Sequence, residues 1–438
     1  MRLYKTQGRT AKKTNDLLLQ LEQRSGSSLD SVLPTVRKIL AKVRRDGDKA
    51  LINYARRFDQ LPKSQPIRIT AKETAAAWEQ LDPTLQQALQ TAEKNIRTFA
   101  QQQLPKSWQV SRIKGLTTGQ LVRPIESVGC YVPGGRHPLP STMLMTVIPA
   151  QVAGVQRIVV TSPNPAPETL ATAHLLGVTE FYRIGGAHAV AALAFGTESI
   201  PMVRKIVGPG NLYVTAAKRE IAFECGIDML AGPTEIIVTS DLGSAASIAA
   251  DLVAQAEHDP AALAIFITTK EELANAVLLE AKLQSAKNPI AKEALSKNGY
   301  IFVTASPEES QQLTNRLAPE HLTVDSEADL EWVQNAGSVF IGQHSPQPMG
   351  DYISGPNHTL PTGGMATLRG GLSVNDFLKL ITVQQYNEKA LALFGPAAIR
   401  IAEAEGLTAH GEAIRQRMSL GNPLSLTRSV NASKRILK

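Results

Sequence analysis

Twice along this chain, short and mostly apolar runs rich in β-branched residues alternate with alanine-rich helical stretches. In the first pass the runs 157–161 (RIVVT), 181–184 and 205–207 end in turn residues, with helical patterns over 168–176 and 187–195 between them. The second pass restarts near residue 235: strand-like runs at 236–239, 264–268, 300–304 and 338–341 enclose helical patterns around 244–257, 270–283 and 307–317. A strand apolar on both sides must be covered on both faces, and the intervening helices are the covers. The fold class is therefore α/β, with parallel sheets in two consecutive domains of similar build. In such sheets ligands bind beyond the carboxyl ends of the strands, where residues that carry chemistry are expected to converge.

The flanks read differently. Residues 1–115 form a polar, mostly helical N-terminal region in which Val32, Val36, Ile39, Leu40, Val43, Leu51 and Ala55 recur at helix spacing, interrupted at Asp46, Gly47 and Asp48. Leu85, Leu89, Ala92 and Ile96 repeat the stripe after Asp82 and Pro83, and the region is expected to be a scaffold or dimer element. The first α/β domain is then assigned to 116–234, the second to 235–375, and a C-terminal helical arm with a basic tail to 376–438. With 43% hydrophobic and 19% charged residues the chain has ample core material, which excludes disorder and a small disulfide scaffold. The net charge of +7 is misleading, because residues 1–15 carry five basic residues and 422–438 four, with no acid in either, leaving 7 − 9 = −2 for the body. Basicity sits in solvated ends, so nucleic acid is not the expected partner. No uncharged apolar run reaches the length of a membrane span and no signal-like segment opens the chain, so the expected location is the cytoplasm. Cys130 and Cys225 lack metal spacing and are expected to be buried, inert thiols.

Several residues could carry chemistry. The glycine-rich stretches 129–135 (GCYVPGG) and 208–211 (GPGN) fit neither dinucleotide nor phosphate-loop patterns, and ordinary turns explain them as well. The run 251–258 (DLVAQAEH) reads as one helix that sets Gln255 and His258 on one face, suited to two ligands of a metal, two contacts to a substrate, or a histidine at a helix end. Glu320 and His321 are adjacent carboxylate and imidazole, able to share acid–base work if one site pushes their pKa values apart. The long loop 343–371 has little helix or strand signal yet holds Asp351 and His358, which fits a site better than a linker. His410 lies in a helical context near the C-terminus.

With these residues in place, the chain resembles the histidinol dehydrogenase family from about residue 30 to about 415. The segments that carry the resemblance include VGCYVPGGRHPLPSTMLM (128–145), KIVGPGNLYVTAAKRE (205–220), DLVAQAEHDP (251–260), RLAPEHL (316–322), GDYISGPNHTLPT (350–362) and EGLTAHGEA (405–413). The resemblance implies two similar incomplete Rossmann-like domains and an intertwined homodimer. It also implies a Zn²⁺- and NAD-dependent enzyme that oxidises L-histidinol through bound L-histidinaldehyde to L-histidine, the last steps of histidine biosynthesis. By motif, Gln255, His258, Asp351 and His410 would be metal ligands, His410 coming from the partner subunit. Glu320 and His321 would be the catalytic pair. Thr234, His358 and Glu405, with His321 and the metal ligands, would contact substrate, and Tyr131, His188 and Asn211 would lie at the NAD site.

Two imidazoles, a carboxylate and an amide oxygen make a mixed donor set suited to Zn²⁺. The resemblance gives His321 the alcohol proton in the first oxidation and gives Glu320 the activation of water in the second, so no nucleophilic cysteine is needed. The sequence departs from the family pattern at His188, where many relatives carry glutamine, and at Thr234, where serine is common; altered NAD affinity and a retained hydroxyl are expected. The alternative is a paralogue that oxidises another small primary alcohol, such as a sulfonated propanediol. His358 and Glu405 suit a cationic amino alcohol better.

Overall fold

The structure is a computed structural model that describes residues 1–24, 29–134 and 138–419. The chain divides into two units, Met1–Leu104 with Ile125–Phe377, and Pro105–Pro124 with Leu378–Lys438. Part of the 128–145 motif and the C-terminal basic tail, including Arg428, Lys434, Arg435 and Lys438, lie outside the described residues.

The first unit opens with strand β1 (Arg2–Lys5), helix α1 (Ala11–Glu22) and the long helix α2 (Leu33–Phe58). The expected interruption of α2 is real: Gly47 takes φ +50° and ψ −135°, leaving the helix axis broken between its two apolar halves. Strand β2 (Arg68–Ile69) and helices α3 (Ala71–Gln80) and α4 (Pro83–Gln102) follow, α4 begun by Asp82, whose carboxylate accepts from Thr84 N and Leu85 N at 2.9 and 3.1 Å, with Pro83 in the first turn. The chain then leaves for β3 (Trp108–Ile113) and β4 (Leu116–Pro124) of the second unit.

On its return it builds β5 (Ser127–Tyr131), α5 (Pro140–Ala153), β6 (Arg157–Thr161), α6 (Pro167–Leu175), β7 (Glu180–Tyr182), α7 (Gly186–Phe195), β8 (Lys205–Val207), α8 (Leu212–Ile221) and β9 (Gly226–Ile227). These strands form a six-stranded sheet in the order β2-β7-β6-β5-β8-β9, parallel except for the edge pair β2–β7. One face is covered by α2, α7 and α8, where Val36, Val43 and Leu51 share a core with Val190, Leu193 and Val214. Helix α5 is buried nearly all round, as its run of Met143 to Ile148 requires.

The second pass contains β10 (Glu235–Thr239), α9 (Ala245–Ala256), β11 (Leu263–Thr268), α10 (Glu271–Gln284), α11 (Pro289–Asn298), β12 (Gly299–Val303), α12 (Pro307–Leu317), β13 (His321–Val324), β14 (Ser338–Ile341) and the short α13 (Pro348–Tyr352). Its sheet is wholly parallel, ordered β1-β12-β11-β10-β13-β14. Leu252, Val277 and Ile301 pack on one face, while Leu18, Ile265, Phe302 and Leu313 pack on the other. Both faces are covered, as the continuous apolar strands require.

The basic N-terminus keeps its charged side chains exposed, as its charge implies, but its first residues form an ordered strand rather than a loose end. Strand β1 pairs with β12 as the edge of the second sheet, the Arg2 guanidinium lies 4.7 Å from the Tyr300 ring centre, and Lys5 pairs with Glu271 at 2.7 Å. Charged side chains on an edge strand also discourage pairing with another chain.

The second unit corrects the helical reading of its first residues. Strand β15 (Leu378–Tyr386) pairs antiparallel with β4 along its whole length, from Leu378 opposite Pro124 to Tyr386 opposite Leu116, and β3 closes a sheet ordered β15-β4-β3. Helices α14 (Glu388–Ala404) and α15 (Thr408–Ser419) follow, α14 capped by Asn387, which accepts from Ala390 N at 3.0 Å.

A buried ion pair fixes the turn after β8. Asp228 accepts from Gly208 N at 2.7 Å and from Lys218 Nζ at 2.5 Å, while Lys218 also donates to Gly208 O at 2.6 Å. Gly208 has φ +113°, and a Cβ there would strike the Tyr131 carbonyl oxygen, so only glycine fits. Lys218→Met leaves Asp228 as an uncompensated buried charge and is expected to cost about 3–5 kcal/mol of stability. Urea unfolding of wild type and variant checks this.

Candidate active site

Strands β10 and β13 are neighbours with Ile236 opposite His321. Thr234, Glu235, Glu320 and His321 therefore meet at the amino ends of these strands, not at the carboxyl ends. The carboxyl-end expectation holds only in the first sheet, where Tyr131 ends β5 and Asn211 follows β8. Helix α9 runs back after β10, so its last turn returns to the same amino edge. It also ends earlier than its sequence reads. Glu257 caps it, and His258 sits just beyond, its N–H 3.4 Å from Gln255 O and its ring exposed. Gln255 therefore lies in the last turn of the helix and His258 just past its cap, with the His258 charge still acting on His358 in the same neighbourhood.

Glu320 is held by two donors. Its Oε2 accepts from the Thr234 hydroxyl and from Glu235 N, each at 2.7 Å, and the Thr234 oxygen in turn accepts from Gln255 Nε2. The chain enters this position through Ala318, the α12 cap, at φ +45°, a left-handed conformation that costs an alanine about 1–2 kcal/mol. Glu320 is 6% exposed, and burial pushes its pKa up to about 7, against the opposing pull of His321, Thr234 and the Glu235 amide. Such a carboxyl can hold or release a proton near neutral pH.

His321 is oriented by the chain itself. Its Nδ1–H donates to Glu235 O at 3.1 Å, so Nε2 is the nitrogen free to exchange a proton, and Nε2 faces Asp351 Oδ1 at 3.7 Å. Burial would lower the imidazole pKa, but the Glu320 and Asp351 carboxylates outweigh it and hold it above the ordinary value. The Phe340 ring lies 6.0 Å from the His321 ring and limits its tilt.

Asp351 and His358 come from the loop that was expected to be functional. Asp351 Oδ2 accepts from Gln347 Nε2 at 2.9 Å, and its backbone oxygen accepts from His358 Nδ1–H at 2.8 Å. His358 Nε2 lies 3.3 Å from the Thr142 hydroxyl. Desolvation holds the His358 imidazole below its ordinary pKa despite Asp351, and the charges of His321 and His258 act in the same direction. Gln255, His258, Glu320, His321, Asp351, His358 and Thr234 thus share one neighbourhood in the first unit.

In the first sheet the expected NAD residues are already engaged. His188 is 1% exposed, with Nε2 2.7 Å from Asp59 Oδ2, an oxygen that also accepts from Gly185 N at 3.0 Å. The Tyr131 hydroxyl accepts from Gly186 N at 3.0 Å. Asn211 is exposed and caps α8, accepting from Tyr213 N at 3.0 Å and Val214 N at 3.2 Å. Glu405 caps α14 and His410 lies on α15, both exposed in the second unit.

Among the described residues no three His, Cys, Asp or Glu side chains gather as a metal cluster. A zinc site that includes a glutamine nevertheless fits the donors present. Gln255 is 1% exposed, and its Oε1 is buried with no hydrogen-bond partner. An amide oxygen left so costs about 1–3 kcal/mol unless a ligand takes it, while Asp351 and His258 offer harder and borderline donors at the same corner.

Residues the sequence did not flag are Glu235, Gln347 and Asp59. Glu235 carries the amide that holds Glu320, and its own carboxylate is gripped by Arg24 through two 2.7 Å bonds and accepts from Gly363 N at 3.1 Å. Cys130 and Cys225 are buried, with thiols pushed up by burial to about 12 and about 11. Native protein is expected to show no reaction with a thiol reagent and two equivalents per chain after unfolding, read by absorbance titration.

Comparison with known proteins identifies the family to which nearly the whole chain is similar. The family model described as histidinol dehydrogenase matches residues 22–418. A histidinol dehydrogenase of Bacillus thuringiensis subsp. konkukian is 45% identical over 399 residues, spanning 89% of this chain and 93% of that protein. One of Listeria innocua is 43% identical over 411 residues, spanning 91% and 96%. The crystal structure of histidinol dehydrogenase from Elizabethkingia anophelis superposes with a TM-score of 0.90 at 37% identity, covering 96% of this chain and 99% of that one. By sequence and by fold, the chain belongs to the histidinol dehydrogenase family, NAD-dependent oxidoreductases that act on an alcohol and its aldehyde.

Proposed function

We propose that this chain oxidises L-histidinol through bound L-histidinaldehyde to L-histidine, at a zinc held by Gln255, His258, Asp351 and His410 of the partner subunit. The observation that carries this reading is the pairing of two differently tuned groups at one point: a buried carboxyl with pKa near 7 and an imidazole with one nitrogen committed to the backbone. Zinc, when bound, would supply a template for the amino alcohol and a Lewis acid. NAD would supply the acceptor for both hydrides.

The remaining work falls to this chain's side chains. His321 Nε2 takes the alcohol proton in the first oxidation, with Nδ1–H steadied by Glu235 O. Glu320 accepts a proton from the water that attacks the aldehyde in the second, and the Thr234 hydroxyl and Glu235 amide keep its Oε2 in place. The methyl that distinguishes Thr234 from serine leaves that hydroxyl bond intact. His358 and Glu405 would contact the substrate, the carboxylate answering a cationic amine. At the carboxyl edge of the first sheet, exposed Asn211 can reach the cofactor directly. Tyr131 and His188 are closed to solvent, so they act on it through the Gly185–Gly186 turn that they and Asp59 hold.

A homodimer is part of this reading. Strand β3 is exposed along its length, with Trp108, Val110 and Ile113 on it, and β15 exposes Leu380, Ile381 and Tyr386. A sheet with so much uncovered apolar surface calls for a partner, and a second copy meets the need with twofold symmetry. The proposed location is the cytoplasm; among the described residues no helix is long and apolar enough to cross a membrane.

The deciding experiment is NADH formed per L-histidinol, on zinc-loaded protein with excess NAD, run to completion. About two equivalents with L-histidine as product is the expected result. No NADH from a folded, zinc-loaded dimer would overturn the proposal.

A further inference from the structure

Gln347 is a buried amide that the reaction as described does not use. It is 1% exposed and opens α13, with Pro348 behind it, and its carbonyl accepts from Gly350 N at 2.9 Å. The four-residue spacing to Asp351 lays its side chain over that carboxylate, where Nε2 donates to Oδ2 at 2.9 Å. Its own Oε1 is buried without a partner. An unpaired buried acceptor is a cost that a methionine of the same length would avoid, so packing alone does not explain an amide here.

Its surroundings hold it from two further sides. The Gln347 backbone N–H faces the Asp251 carboxyl, which sits on α9 one helical turn before Gln255. The short helix itself is pressed onto the site: a Cβ at Gly350 would come within 2.6 Å of the Phe340 ring, the ring that lies against His321. The same helix that carries Gln255 therefore anchors the residue that grips Asp351.

We propose that Gln347 is a positioning residue for Asp351, holding Oδ2 so that Oδ1, the oxygen facing His321 Nε2, is the one free to ligate zinc. The inference rests on the metal reading above. A carboxylate with both oxygens free can rotate to chelate with both, whereas one tied by an amide presents a single donor in a fixed direction. Hydrogen-bond partners of this kind typically contribute 10–100-fold to metal affinity.

The test uses the full-length protein and the variants Gln347→Met, which keeps the length without a donor, and Gln347→Asn, which keeps the amide but falls short of Asp351. Zinc affinity is measured by chelator competition, the visible spectrum is recorded with Co²⁺ in place of zinc, and melting temperature is taken without metal. The expected result is a metal-free melting temperature close to wild type, zinc affinity about 10–100-fold weaker, and an altered Co²⁺ spectrum. If Gln347→Met fails to fold, Gln347→Asn carries the test with the same expected losses. Wild-type affinity and an unchanged Co²⁺ spectrum in a folded variant would overturn the role of Gln347 while leaving the zinc site standing. A wild-type protein that binds no zinc would instead overturn the metal reading, and this inference with it.

Discussion

Glu320→Gln is expected to slow oxidation of L-histidinaldehyde by about 10²–10⁴-fold while slowing oxidation of L-histidinol much less. The two donors on Glu320, the Thr234 hydroxyl and the Glu235 amide, can both be met by the oxygen of a glutamine, so the fold and the neighbouring His321 should be preserved. What the substitution removes is the ability to take a proton from water. Only the second oxidation needs that, because an alcohol already carries the oxygen that becomes the carbonyl. With L-histidinol and excess NAD the variant should therefore stop near one NADH per substrate and retain aldehyde, where wild type gives about two. Single-turnover rates on each substrate check the split. Equal losses on both would show that Glu320 serves His321 or the substrate rather than water.

The contrast between the two catalytic candidates follows from features of unequal legibility. Adjacency of Glu320 and His321 is visible in the sequence, as is the boundary of α12 before them: Pro307 follows Ser306, which caps the helix by accepting from Glu309 N at 3.3 Å. The strands β6, β8 and β14 could be read for the same reason, since β-branched runs between turn residues have few alternatives. Which end of a strand the site occupies could not be read. It depends on the register that sets Ile236 opposite His321, a contact across 85 positions of chain that no local pattern encodes. The end of α9 was misread because DLVAQAEH keeps helical spacing up to His258, while capping at Glu257 is a backbone event. Strands β1 and β15 escaped because both are largely exposed, so neither shows the buried alternation by which strands are recognised. Gln347 and Asp59 were silent for a different reason: an amide or carboxylate that positions another residue has no signature apart from the residue it touches.

Paired inactive variants are expected to rescue each other if His410 acts across a dimer interface. His410→Asn alone should lose zinc and nearly all activity, and Glu320→Gln alone should lose aldehyde oxidation. In a mixed dimer, the subunit with intact Glu320 would receive the intact His410 of the partner subunit, giving one competent site, while the other site carries both lesions. Random equal mixing makes half the dimers mixed, so recovery should approach about one quarter of wild-type L-histidine formation. If each chain supplied His410 to its own site, both sites of a mixed dimer would be damaged and recovery would be absent. Differently tagged subunits, unfolded together, refolded and purified by both tags, isolate the mixed species, and there the expected yield rises to about one half. The pattern separates a shared site from a merely dimeric protein, because a dimer whose sites are each built from one chain would form the mixed species without rescue. Rescue would also place Gln255, His258 and Asp351 in one subunit with the fourth ligand in the other, so that metal binding and dimer assembly stabilise each other.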